Sequence, residues 1–588
     1  MTGDRDLARF DRRFFEGRET FTVIGSGALG GKAAGLRSAR ETLADRPAAL
    51  RFEGLEISVP TLTVLGTDAF DRFLERNRLH EIVHSGADDQ HVAVALQRAE
   101  LPTEMVGDLW ALVREVHTPL AVRSSSLLED ALAHPFAGVY ATKMIPNNQH
   151  DADTRFRKLV EAIKFVYAST FFRAARAYVR AAGQPPESEK MAVIVQEVLV
   201  DRHGPRCYPE VAGVARSWNF YPTGHARPED GVVDLAFGLG KTIVDGGRTW
   251  TCSPAHPRAV PPFNSVGHML EQTQTEFWAV NMGKPPAYDP TTETEYLVQA
   301  HVADAEEDGT LAHVASTYDP ESDRVVMGTG TRGPRVLDFA PLLRLGEWPV
   351  SEALRGLLPL FAERAGAPVE IEFALTLPAE PGHPARLGFL QVRPMLVSDA
   401  LVEVGDGELA DPRAVVRSER VMGNGAIEGI RDVVYVRPDR FEARHTPAVA
   451  AQVDELNQAL VEAGRPYLLI GFGRWGSADP WLGIPVEWSQ IAGARVIVEA
   501  ALPTMDVDMS QGAHFFHNLL SFRVAYFSVP RREPAQGPPA IAWDWLDRLP
   551  ARRETEFLRH VETPAPLRIR VDGRRGRGVV LRGEEDDA

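Results

Sequence analysis

A mixed α/β fold is the expectation for this chain, and three kinds of stretch carry it. Short apolar runs that end on polar residues, Leu120-Ala121-Val122 and Met191 to Gln196, read as buried strands. The segments Leu101 to Val116 and Asp153 to Ala182 have helical spacing. Between Val369 and Met395, period-two alternation on both sides of a Pro/Gly turn reads as a hairpin. Residues 8–21 read as a short amphipathic helix leading into the strand residues Val23-Ile24. Aromatics in the long helical segment (Phe165, Tyr167, Phe171, Phe172) fit a core better than a cofactor stack.

Composition narrows the functional classes. At 588 residues the chain has room for about three to four domains. A net charge of −17 disfavours general nucleic-acid binding, so any anion site must gather its positive charge locally. The two cysteines, Cys207 and Cys252, lie far apart without neighbouring metal-ligand spacing, which argues against a disulfide framework or a zinc site. No apolar run is long enough to span a bilayer, and the opening residues do not read as a signal peptide. A cytoplasmic protein without membrane contact is expected.

The first chemical motif is IGSGALGGKAAGL, Ile24 to Leu36. Gly25, Gly27 and Gly30 spell a dinucleotide fingerprint, but the preceding strand is short and no βαβ unit follows. It is no Walker A loop either, because Ala33 follows Lys32 where Ser or Thr is needed. Glycines allow close backbone approach, and a lysine at a helix start adds charge where the dipole already favours phosphate. At the end of the 120–122 strand stand Arg123, three serines and the pair Glu129-Asp130. A guanidinium followed by hydroxyls and N–H groups suits phosphate oxygens, with an ordinary serine-rich loop as the alternative. Past Gln196, the stretch Glu197-Val198-Leu199 can border an adenine slot with backbone groups and apolar walls. On the late hairpin, Glu370 and Glu372 share one strand face, as do Gln391 and Arg393. Such a hairpin can set carboxylates beside an amide and a guanidinium, a plausible Mg²⁺-triphosphate site; a cross-strand Glu–Arg pair is the alternative.

These stretches, taken together, resemble the nucleotide-binding domain of pyruvate phosphate dikinase and phosphoenolpyruvate synthase. VRSSSLLEDALAHPFAGVYAT is similar to that family's VRSS…ED…SFAG…T, with Pro135 where Ser is usual. Gly30-Gly31-Lys32-Ala33 with Leu36 is similar to its G-G-K-A-x-x-L, and 59–74 to its VPxGFxxTxxAYxxFL. Val211 to Ala215 resembles SGVxFT, and Asp234 to Gly240 resembles ExxxGLGE, with Asp234 for the first Glu and Lys241 for the last. Ile371-Glu372-Phe373 and Leu390-Gln391 with Arg393-Pro394 are similar to D-I-E-W/F…L-Q-x-R-P, with Glu370 for Asp.

The resemblance implies an ATP-grasp domain over 1–400, with lobes of about 15–200 and 201–400. It implies ATP as cofactor, held by Lys32, Arg123, Gln196, Val198, Gln391 and Arg393, and Mg²⁺ held by Glu372 and Glu370. Residues 401–540 would form a smaller swivelling-type α/β domain, and 541–588 a C-terminal extension. In the swivelling domain a histidine carries the phosphoryl group. His514 in SQGAHFFHN is the candidate and His517 the neighbour, although only one glycine of the family's Gly-Gly motif remains. The chain from Leu401 is too short for both this domain and a pyruvate-binding barrel of about 250 residues. The expected activity is ATP-dependent phosphotransfer of the dikinase type, through catalytic His514, Arg123 and Arg393, to an unidentified small-molecule or protein acceptor. Direct transfer to a small molecule and a non-catalytic ATP-binding regulator stay open, as does a homo-oligomer. GFGRWGSADPWLG, with Arg474, Ser477 and Asp479, marks either a ligand site or a structural lock.

Overall fold

The computed structural model describes the chain apart from residues 1–7, 12–19, 47–50, 130–137, 182–184, 186–188, 221, 223–224, 261–264, 379–381, 396–401, 478, 480, 503–518, 520–523, 531–538 and 584–588. It forms two units. One comprises Met1–Ser217, Asp230–Thr242 and Arg248–Met395; the other comprises Trp218–Glu229, Ile243–Gly247 and Leu396–Ala588. Among the described residues no helix is long and apolar enough to cross a membrane.

In the first unit the strands that matter for the site are β1 Ala8–Arg9, β2 Phe21–Ile24, β3 Leu55–Ser58, β4 Leu62–Leu65, β5 Leu120–Ser126, β6 Thr142–Ile145, β7 Met191–Glu197, β8 Val211–Arg216, β9 Val232–Ala236, β10 Trp250–Cys252, β11 Val369–Thr376 and β12 Ala385–Pro394. They build two six-stranded sheets, ordered β1-β2-β4-β7-β5-β6 and β10-β9-β8-β11-β12-β3. Every residue of β5 is buried, as expected of an interior strand with β7 on one side and β6 on the other. In β11 the apolar residues Val369, Ile371, Phe373 and Leu375 enter one core, which leaves Glu370 and Glu372 on the other face.

The helix Gly31–Asp45 touches both sheets. Its buried Ala33, Leu36 and Ala39 join the core with β11 and β12. A Cβ on Gly35 would stand 2.2 Å from the Val392 carbonyl oxygen, and one on Gly30 would stand 1.8 Å from that of Ser125. Both positions therefore have to be glycine if the helix is to pack against β12 while its first turn meets β5. That double contact places Lys32 beside the serines of β5.

Two sequence expectations change here. Ala8–Arg9 is not helical: it pairs in parallel with β2, Ala8 opposite Thr22 and Arg9 opposite Val23. Backbone pairing at the sheet edge outweighs local helical spacing. The long helical segment is two helices, Ala152–Ser169 and Arg173–Ala181. The Ser169 hydroxyl turns back to the Val166 carbonyl at 2.7 Å, and the Arg173 N–H donates to Asp89 Oδ1 at 2.7 Å, so the second helix starts afresh on its own acceptor. Phe165, Tyr167 and Phe171 are core residues; the Tyr167 and Phe70 rings lie 5.1 Å apart.

The second unit is organised by one large sheet. Its main strands are β13 Ala414–Ser418, β14 Val421–Met422, β15 Gly425–Val436, β16 Tyr467–Phe472, β17 Ala494–Ala500, β18 Ala525–Val529, β19 Leu558–Asp572 and β20 Arg577–Leu581, ordered β13-β20-β19-β15-β16-β17-β18-β14. β15 to β18 run parallel, while the β13, β20, β19 and β15 pairings are antiparallel. Only Glu419 and Arg420 separate the first strand of this path from the last, so the sheet curls back on itself. The Ser528 N–H donates to the Arg420 carbonyl at 2.8 Å across that seam. Residues 541–588, expected as an extension, supply β19 and β20 of this sheet.

Candidate functional site

Arg123 is where the two sheets of the first unit meet. It sits on β5 opposite Ile194 of β7, so Gln196 lies diagonally across from it. Its Nη1 donates to Gln196 Oε1 at 3.4 Å and to the Leu390 carbonyl on β12. Its Nη2 donates to Gln391 Oε1 at 3.2 Å and to Glu372 Oε2 at 3.3 Å. One guanidinium thus gathers Gln196, Glu372 and Gln391 from positions far apart in the chain. Arg123 is only 9% exposed. Its charge is therefore held by nearby acceptors rather than by bulk water.

Lys32 lies next to this group. Its ammonium contacts Glu129 Oε1 at 2.8 Å and donates to Ser124 Oγ at 3.1 Å. The Ala33 N–H donates to Ser125 Oγ at 3.0 Å, and that hydroxyl donates to the Leu29 carbonyl at 2.7 Å. The serines after Arg123 consequently join the Gly-rich loop to β5. Glu129 also accepts from the Ser126 N–H at 2.8 Å and from Ser124 Oγ at 2.9 Å. Asp130 and Pro135 fall outside the described residues.

The hairpin pairs its polar residues in register, Glu370 opposite Arg393 and Glu372 opposite Gln391, with a β-bulge just beyond Glu372. The two glutamates stand in different surroundings. Glu370 is 1% exposed; Oε1 accepts from Arg393 Nε at 3.0 Å and Nη2 at 2.6 Å, and Oε2 accepts from Arg216 Nε at 2.7 Å. Arg216 Nη1 lies 3.3 Å from Asp234 Oδ2, whose other oxygen accepts from the Thr251 hydroxyl at 2.6 Å. A polar row crosses five adjacent strands in this way: Thr251, Asp234, Arg216, Glu370, Arg393. Glu372 is more open and faces Arg123.

Sequence reasoning missed Arg216. An arginine closing the apolar run Val211 to Ala215 was the available signal, because a buried strand tolerates such a charge only if carboxylates meet it. Asp234, aligned with a family glutamate, belongs to the same row. Lys241, which replaces another family glutamate, lies 5.9 Å from the centre of the Trp278 ring. Val198 offers an apolar wall. Its side chain packs with Met144 and Trp278 against Cys207, Leu239, Val280 and Met282, while its N–H is taken by the Pro119 carbonyl at 2.9 Å. Lys143, the last residue of the serine-rich stretch, is buried against Glu295 at 2.7 Å. Burial lowers its pKa, and Glu295 opposes the shift.

In the second unit, Arg474 Nη1 donates to the carbonyls of Gly246 and Gly247 at 2.9 and 3.1 Å. Ser477 and Asp479 build a local turn, in which the Ser477 hydroxyl donates to the Asp479 carbonyl at 3.1 Å and the Trp481 N–H to Asp479 Oδ1 at 2.9 Å. His514 and His517 lie outside the described residues. Among the described residues no group of three or more His, Cys, Asp or Glu could hold a metal ion by itself.

Comparison with known proteins gives the family of the first unit. Residues 26–405, well over half of the chain, match the family described as pyruvate phosphate dikinase, AMP/ATP-binding domain. The chain belongs to this family. The match begins at the Gly-rich loop and runs past β12, so it takes in Lys32, Arg123 and the Glu372–Gln391 pair. A curated relative, the uncharacterized phosphotransferase YvkC of Bacillus subtilis (strain 168), is 28% identical over 193 residues, 33% of this chain. The matched part spans 21%, about a fifth, of that relative's length.

The polar row yields a stability prediction. Arg216→Met removes the cation between Glu370 and Asp234, leaving Glu370 to Arg393 and Asp234 to the Thr251 hydroxyl, and should cost about 3–5 kcal/mol in denaturant unfolding. Arg46→Met, which breaks the exposed pair with Glu363 at 3.0 Å, should cost under about 1 kcal/mol. Equal losses in the two variants would mean that the row is no buried ionic network.

Proposed function

We propose that the chain is an ATP-dependent phosphotransferase of the dikinase type, acting in the cytoplasm. The observation that carries this reading is the convergence of Arg123, Gln196, Glu372 and Gln391, with Lys32 adjacent. Phosphoryl transfer asks a protein mainly for positioning and charge neutralisation. Lys32 and Arg123 supply both once they turn from Glu129 and Glu372 toward phosphate oxygens. The Glu372 carboxylate and the Gln391 amide oxygen, opposed on neighbouring strands, are hard donors of the kind Mg²⁺ takes beside phosphates. When bound, that ion neutralises the triphosphate. Glu370, expected beside Glu372 as a ligand, instead fixes Arg393 through the row anchored by Arg216. Arg393 then acts from a set position at the edge of the site.

The second unit fits the part of a swivelling domain. Its parallel strands β15 to β18 on an otherwise antiparallel sheet, and the SQGAHFFHN segment between β17 and β18, support that assignment. His514 would receive the phosphoryl group and pass it to a small-molecule or protein acceptor; nucleic acid is not expected as a partner.

Two experiments test this reading. Mg²⁺·ATP should raise the melting temperature of the wild type, as a ligand selective for the folded state does. Arg123→Ala should lose most of that rise while keeping its own cooperative transition. No rise in the wild type would contradict the nucleotide site. ATP labelled at the β-phosphate should leave base-stable, acid-labile label on the chain, with AMP and phosphate as products, and His514→Ala should remove the label. ADP without protein label would favour direct transfer, and binding without turnover would favour a regulator.

A further inference from the structure

One carboxyl group beside Glu129, the partner of Lys32, has no part in the scheme above. β5 and β7 end together at the pair Ser126 and Met191, and the Leu127 N–H then donates to the Lys190 carbonyl at 3.2 Å. Glu189 follows, 6% exposed, and among the described residues neither of its oxygens completes a hydrogen bond. Among the described residues the groups facing it are Glu129, Ser126, the Leu128 N–H and Tyr140, with Tyr178 behind the tyrosine. The next residue, Lys190, is engaged elsewhere, with Asp71. Among the described residues the charged group facing Glu189 is thus Glu129, which carries Lys32 as its own cation.

Burial, reinforced by Glu129, pushes the Glu189 carboxyl up to about 7, and the nearby hydroxyls and N–H pull it back only in part. A buried carboxyl without a cation of its own is the group expected to hold a proton when the neighbouring charge balance changes.

We propose that Glu189 is a further working residue of the nucleotide site, taking up a proton from solvent when phosphate draws Lys32 away from Glu129. The inference rests on the reading of Lys32 as the phosphate lysine. Atoms and charges balance simply. The Lys32 ammonium keeps its three protons and exchanges a carboxylate partner for phosphate oxygens. The Glu189 carboxylate gains one solvent proton and donates the new O–H to Glu129. Without that proton, the departure of Lys32 would leave two buried carboxylates facing each other beside a polyanion.

The sign of the pH effect follows. Because the group is raised in the folded chain, its favourable protonated state is lost as pH rises through about 7. Nucleotide affinity should weaken over the same range, approaching tenfold per pH unit once Glu189 is largely ionised before binding.

Calorimetric titration of the full chain with Mg²⁺·ATP between pH 6 and 9, in buffers of different ionisation enthalpy, tests this. After subtraction of the nucleotide's own protonation, the wild type should take up a fraction of a proton that climbs toward one above about pH 7.5. Glu189→Gln mimics the protonated state; it should show no such uptake and should bind about tenfold more tightly than the wild type near pH 8.5. Identical profiles in the two proteins, or no uptake by the wild type, would overturn the role of Glu189 alone. The wild-type measurement decides even if the variant fails to fold. Absence of ATP binding at every pH would instead overturn the nucleotide-site reading, and this inference with it.

Discussion

A guanidinium that is nine-tenths buried has to be met by acceptors on every side, and at Arg123 those acceptors come from both sheets. Gln196 reaches it from β7, and the Leu390 carbonyl, Gln391 and Glu372 from the hairpin. The glycines at 30 and 35 are part of the same constraint, since they let one helix touch β5 and β12 together. Removing the arginine's charge would leave amide and carboxylate oxygens of the two sheets facing one another. The residue therefore serves the fold and the site at once.

An acidic chain that binds a polyanion has to concentrate positive charge, and here it does so in paired form. Lys32 stands on Glu129, Arg123 on Glu372, and Arg216 and Arg393 on Glu370 and Asp234. Buried cations paired this way avoid the full cost of desolvation. In the proposed function an incoming triphosphate replaces carboxylates as the partner of Lys32 and Arg123. Binding is then an exchange of ion pairs, and its free energy depends on where the displaced carboxylates go. Glu372 passes to a metal in that scheme, whereas Glu129 keeps the Ser124 hydroxyl and the Ser126 N–H and faces Glu189.

Much of this was legible in the sequence because it is local. Alternation alone put Glu370 with Glu372 and Gln391 with Arg393, and the hairpin opposes them pair by pair. The resemblance to the dikinase family, carried by motifs from Gly30 to Pro394, agrees with the family match over 26–405. What stayed hidden depends on strand neighbours remote in the chain. Arg216 meets Glu370 across 154 positions, so no window of sequence could tell that Glu370 would be held by two arginines while Glu372 faced Arg123. Glu189 is just as silent, because its character comes from burial and from Glu129, which lies beyond the end of β5 and sixty positions away in the chain. The start of the chain and the break after Ser169 misled for a related reason: sheet pairing at Ala8–Arg9 and the Asp89 acceptor both lie outside the local pattern.

The central claim is that the phosphates of a nucleotide lie between β5 and the β11–β12 hairpin. The most direct measurement is a crystal structure of the chain with a non-hydrolysable ATP analogue and Mg²⁺. The account predicts phosphate oxygens within about 3 Å of Lys32 Nζ and of the Arg123 guanidinium. It also predicts that the Arg123–Glu372 contact is replaced by one between Glu372 and the metal. An analogue bound elsewhere, with Arg123 still on Glu372 and Lys32 still on Glu129, would contradict it.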